Sequence, residues 1–227
     1  MTGISQETII EARDALRQRL LNQRNEHGFW EGRLSSSALS TATGVTALAA
    51  MDANRHRTAI DIGIRWLAAH VNSDGGWGDT DRSPSNLSTT TLVWAAFAAA
   101  QADEQFPSIM RGCEQWLEAH LGKKPTATHI ASAIIASYGK DKTFSVPILT
   151  MCAISGRFGE GKAAWQHVIA LPFEMAALPH QLYKAVNLPV VSYALPALIA
   201  IGQAHYVCTD SRNPLRRDPA ARQRPSS

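Results

Sequence analysis

Two short segments 47 residues apart end in the same Gly-x-Trp turn: Asn25-Glu26-His27-Gly28-Phe29-Trp30 and Asn72-Ser73-Asp74-Gly75-Gly76-Trp77. Each follows one amphipathic apolar run and precedes another, so the unit is a helix, a Gly/Trp turn and a second helix. The later segments keep that register. Leu39 to Ala50 and Leu87 to Phe97 are both Ser/Thr-led, Ala-rich runs about 48 residues apart, and Trp66-Leu67-Ala68-Ala69-His70 pairs with Trp116-Leu117-Glu118-Ala119-His120 at an offset of 50. Serine and threonine at the mouth of such runs can cap helices, and alanine lets helices approach closely.

Before the first turn, Ser5 to Gln23 places Ile9, Ala12, Leu16 and Leu20 at the three-four spacing of one helical face,. The third unit degrades: Gly122-Lys123-Lys124-Pro125 replaces the turn, Thr128 to Tyr138 reads as the next helix, and Thr143 to Ile154 begins another, with Pro147 tolerated only in its first turn,. Leu171 to Pro179 is bracketed by prolines and reads as one short helix. No stretch alternates with period two. The expected fold is all-α, an α/α toroid or incomplete α-α barrel of repeated helix pairs joined by Gly-x-Trp turns.

The formal charge of +3 is carried by residues 206–227, where Arg212, Arg216, Arg217, Arg222 and Arg224 face Asp210 and Asp218. A neutral body with a basic, proline-rich and disordered tail has no electrostatic stripe for nucleic acid. Cys113, Cys152 and Cys208 have no Cys-x-x-Cys spacing, which argues against a disulfide framework or a structural zinc site and suits a reducing cytoplasm,. The eight histidines never recur at i+3 or i+4, so no helix-face metal pair is encoded,. Met1 to Glu11 has no signal-peptide pattern,. Ala185 to Thr209 lacks formal charge and is long enough to span a bilayer, but Pro189 and Pro196 interrupt it and polar residues are scattered through it; it reads as a buried helix,.

The turns, with Trp66-Leu67 before Gly75 and Trp77, resemble the prenyltransferase/squalene oxidase repeat of the squalene/hopene and oxidosqualene cyclases. Tyr138 to Pro147, Leu171 to Glu174 and Val190 to Pro196 also look like the N-terminal half of bacterial squalene-hopene cyclase-like proteins. The likeness runs from about residue 10 to about 205. Val71 stands where the family repeat has Gln. The resemblance implies that Gly28, Trp30, Trp66, Gly75 and Trp77 are structural residues of the repeat turns. It further implies a first helix over 1–22 packing on a second domain, a toroid-repeat domain over 23–205, and a tail over 206–227.

By the same resemblance the reaction is cation-driven polycyclisation of squalene or a related linear isoprenoid, an isomerase chemistry of terpenoid and hopanoid biosynthesis. It implies no metal and no organic cofactor, and a cytoplasmic protein lying peripherally on the inner membrane face. The family draws its acid from an Asp-x-Asp-Asp motif, because protonating an alkene needs a clustered, desolvated carboxyl. This chain has none. Asp79-Thr80-Asp81-Arg82 lacks the third carboxylate and reads as a turn-capping stretch,. Catalytic residues are therefore expected to be none, and the acid would come from a partner, a C-terminal cyclase half. Phe173, Tyr183 and Tyr193 are the candidate substrate-lining aromatics, each also compatible with core packing.

Two toroid relatives fit less well. No Asp/Cys/His cluster suits the zinc of a protein prenyltransferase, and Gly112-Cys113-Glu114-Gln115 lacks the spacer glycine of a complement-type thioester,. A rival of another class is a non-catalytic helical-repeat module that binds an isoprenoid or a protein partner on a concave face.

Overall fold

The computed structural model describes residues 5–32, 34–139, 142–171, 173–174 and 195–209. These are helical with no strand among them, as period-three-to-four patterning predicts for an α/α-toroid fragment,. The helices are α1 (Gln6–Asn22), α2 (Ala38–Asp52), α3 (Arg57–Ala69), α4 (Leu87–Ala99), α5 (Pro107–Leu121), α6 (Ala127–Tyr138), α7 (Lys142–Ile154), α8 (Gly161–Trp165) and α9 (Leu195–Thr209), with a 3-10 turn at Asp103–Gln105. Their starts follow the local chemistry. The side chains of Ser5, Ser37, Asn86 and Thr126 accept from the backbone N–H three residues on, and Pro107 opens α5 where no N–H is needed,.

The chain divides into two compact units, Met1–Ser36 and Ser37–Ser227. The first holds α1 and the first Gly-x-Trp turn. No residue of α1 is buried, and the stripe Ile9, Leu16, Leu20 is exposed along its length.

In the second unit α4 is the central helix, packed against α2 and α7, and nearly all of Leu87 to Phe97 is buried. An all-round apolar helix can only be stable in that position. Each of α3 and α5 instead buries a single face: Ile60, Ile64 and Leu67 on α3, and Met110, Cys113 and Leu117 on α5. At about 1.5–3 kcal/mol per fully buried large apolar side chain, such a face outweighs the modest helix propensity of these segments.

Three expectations are corrected. Pro147 lies inside α7, not in its first turn. It removes the one backbone rung that its own N–H would have made, and the buried Val146, Ile148, Leu149 and Cys152 around it hold the helix in place,. The uncharged stretch from Ala185 is not a buried helix where it is described: α9 covers 195–209, buries Gly202, and leaves Leu195 and Val207 exposed. One face with Ile201, Ala204 and Cys208 packs against the core. Finally, α9 continues through Thr209, four residues into the stretch read as a disordered tail; residues 210–227 lie outside the described residues. Among the described residues no helix is long and apolar enough to cross a membrane.

Candidate functional site

The repeat turn is a reproducible hydrogen-bonded device. In the first copy, Asn25 N donates to Phe29 O at 2.9 Å and Gly28 N to Asn25 O at 3.0 Å, and Trp30 Nε1 donates to Leu20 O at 2.6 Å. In the second, Asn72 N donates to Gly76 O at 3.0 Å, Gly75 N to Asn72 O at 2.9 Å, and Trp77 Nε1 to Leu67 O at 2.9 Å. Every partner is displaced by the same 47 positions. Gly28 and Gly75 have φ of 83° and 88°, the left-handed region in which a Cβ is strained,. The indole therefore closes the turn onto a carbonyl in the last turn of the preceding helix, as a second donor beside the C-cap N–H: Gln23 N reaches Leu20 O at 3.1 Å and His70 N reaches Leu67 O at 3.2 Å.

The two copies differ in burial. Trp77 is 1 % exposed and Trp30 47 %. Trp77 is further clamped by Thr90, whose Oγ1 accepts from Trp77 N at 3.0 Å and donates to Trp77 O at 3.2 Å. Trp66 is half-buried and stacks on His70 with centroids 4.0 Å apart, and Trp116 repeats this on His120 at 4.9 Å. Trp116 also donates from Nε1 to Asp74 Oδ2 at 3.0 Å, tying the turn to α5. Burial acts to raise the Asp74 carboxyl, but hydrogen bonds from Ser85 Oγ, Gly76 N and Trp116 outweigh it and hold the group below its ordinary value.

The acidic pair after the turn has separate duties. Asp79 Oδ1 accepts from Thr89 Oγ1 at 2.6 Å and from Asn86 Nδ2 at 2.8 Å, anchoring the loop to the first turn of α4, while Asp81 is exposed. Among the described residues no three His, Cys, Asp or Glu side chains gather as a metal site. All three cysteines are unpaired. Burial pushes the Cys113 and Cys152 thiols up, Cys152 to about 12, against the opposing pull of Arg157. Cys113 lies inside helical α5, where Gly112, Glu114 and Gln115 are helical too, so the Gly-Cys-Glu-Gln run is a packing segment.

Of the three candidate lining aromatics, Phe173 packs against Gly202 and, at a centroid distance of 6.1 Å, against Tyr206 of α9. Tyr183 and Tyr193 lie outside the described residues.

A cleft of about 560 Å³ opens at the N-terminal mouth of α4. Leu39, Leu87, Tyr138 and Phe144 supply its apolar wall, and Asp79, Ser88 and His120 are among its polar groups. Ser88 Oγ and the Tyr138 hydroxyl are hydrogen-bonded at 2.8 Å, and the Tyr138 and Phe144 rings stack at 5.7 Å. The size is that of a small-molecule site. Sequence reasoning missed it because its wall comes from α2, α4, α5, α6 and α7, which no local pattern brings together; the Ser/Thr-led mouth of α4 was the one local signal. The paired turn asparagines were legible as Asn-x-x-Gly-x-Trp, since both copies stand in the sequence.

Residues 14–153 match the family model described as the squalene-hopene cyclase N-terminal domain, a span running from within α1 through both repeat turns into α7. No curated protein matches the chain. No solved structure matches it either. With more than half of its 227 residues matched, and with described residues that are helical and repeat the turn's backbone and indole hydrogen bonds, the chain belongs to the squalene-hopene cyclase N-terminal-domain family.

Proposed function

We propose that this chain is the N-terminal half of a squalene-hopene cyclase-like class II triterpene cyclase and carries out no cyclisation alone. The observation that carries the reading is the pairing of a family match across both repeat turns with the lack of any Asp-x-Asp-Asp in the sequence. Alkene protonation needs a desolvated carboxyl kept protonated by neighbouring carboxylates. The nearest acidic pair here does other work: Asp79 is committed to Thr89 and Asn86, and Asp81 is exposed. The acid comes from a C-terminal half, and the exposed Ile9, Leu16 and Leu20 stripe of α1 is covered by that partner. The substrate of the assembly is squalene or a related linear isoprenoid, reached by peripheral contact with a membrane, in terpenoid or hopanoid biosynthesis.

The test is lipid chromatography. The purified chain incubated with squalene yields no cyclic triterpene, and co-expression with a C-terminal half bearing Asp-x-Asp-Asp yields one. Cyclic product from the chain alone overturns the reading, and Asp81→Asn is then the next variant to assay. If the chain binds such a lipid or a protein yet no C-terminal half restores turnover, the non-catalytic repeat module is the better description.

A further inference from the structure

We propose that the cleft at the mouth of α4 is a binding site for a small organic ammonium ion with an apolar body. It is a separate site from anything the cyclase reading assigns, and its test is binding rather than cyclisation.

Charge and preorganisation select the ion. Among the described residues lining the cleft, Asp79 is the single carboxylate, and there is no lysine or arginine. Its Oδ1 is held by two donors from the start of α4, the Thr89 hydroxyl and the Asn86 carboxamide, which fixes the group without neutralising it. Oδ2 is left to a ligand. A fixed anionic acceptor binds a cationic donor more strongly than a neutral one, because charge-assisted hydrogen bonds are about twice as strong as neutral ones. The aromatic wall adds to this: Tyr138 and Phe144 stack at 5.7 Å, and aromatic rings attract a cation placed over a face,.

The apolar body follows from the remaining wall. Leu39 and Leu87 offer aliphatic surface, and Phe144 is 55 % exposed, an apolar side chain standing at the edge of a cleft rather than in a core.

The experiment titrates the full chain by calorimetry with cyclohexylmethylamine and with cyclohexylmethanol, which share shape and differ in charge. The amine binds saturably and the alcohol about tenfold more weakly or worse. Asp79→Asn keeps an acceptor oxygen for Thr89 and Asn86 but removes the charge, and it weakens the amine about tenfold while leaving the alcohol unchanged. Should that variant misfold, Phe144→Ser at an exposed position serves as the second, with several-fold weaker amine binding expected. Equal affinity for amine and alcohol, no saturation by about 10 mM, or unchanged amine binding in Asp79→Asn overturns the assignment. Flotation with phosphatidylcholine vesicles, with and without phosphatidylethanolamine, identifies the source: amine-dependent retention supports a lipid headgroup, and soluble binding without retention supports a free amine.

Discussion

The guanidinium of Arg157 lies 4.5 Å over the ring centroid of Trp94 and donates from Nε to the carbonyl of that same residue at 2.8 Å. Its Nη2 reaches Asp103 Oδ1, also at 2.8 Å. One side chain, 12 % exposed, thus joins α4, the 3-10 turn before α5, and the segment after α7. Arginine suits the place because its planar fork can stack on a ring and donate in two directions at once, which the lysine ammonium cannot.

Arg157→Ala is expected to cost about 2 kcal/mol, from the lost stacking and the carbonyl and carboxylate left without a donor, discounted for the partial exposure of Asp103,. Arg157→Lys recovers only part of it. Urea denaturation followed by circular dichroism checks both, and a lysine variant as stable as the parent would show that charge alone matters.

The two repeat tryptophans make the same bond at different burial, so their removal separates packing from hydrogen bonding. Trp77→Ala is expected to destabilise by about 3–5 kcal/mol, as loss of a large buried aromatic does. Trp30→Ala loses chiefly the bond to Leu20 O and costs about 1 kcal/mol,. Equal shifts of the melting midpoint would sink the assignment of Trp77 as a core anchor.

A methyl group at the two turn glycines meets different obstacles. At Gly75 it would come within 2.8 Å of Gly112 O, which is backbone of α5; at Gly28 it would meet the far end of the long Arg24 side chain at 2.9 Å. Both share a left-handed φ costing about 1–2 kcal/mol,. Gly75→Ala is therefore expected to be the more damaging by about 2 kcal/mol or more, since backbone cannot yield as a side chain does. Thermal unfolding of the two variants side by side decides it.

Asp74 makes stability depend on acid. Its carboxyl is held below the ordinary 3.8, so the ionised form is favoured by folding. That contribution is fully present above 3.8 and is lost as pH falls through the lower folded value,. Asp74→Asn should flatten the stability profile in that acidic window relative to the parent. Identical slopes below pH 3.8 for parent and variant would remove Asp74 from the account.

How far the sequence led depends on whether the physics was local. Helix α1 follows from three-four periodicity and its cap, and α2 and α4, apolar on all sides, from their Ser/Thr-led, Ala-rich runs repeated about 48 residues apart. The repeat turn was legible because two copies at one offset show which positions matter. Arg157 was not, since its partners Trp94 and Asp103 lie 63 and 54 residues away and nothing in its own neighbourhood marks it. The interior position of Pro147 went the same way: local rules place proline at a helix start, and burial of its neighbours overrode them. The cleft is the extreme case, its wall being drawn from five helices.

The docking of the second turn against α5, through the Gly75 and Gly112 backbones and the Asp74 to Trp116 bond, makes their amide protons report on one another. The amides of Gly75, Gly76 and Trp77 bond to Asn72 O, Asp74 Oδ1 and Thr90 Oγ1 beneath this packing, and hydrogen exchange is expected to show them opening together with Met110, Cys113 and Leu117 of α5, although a turn of this length would ordinarily exchange early,.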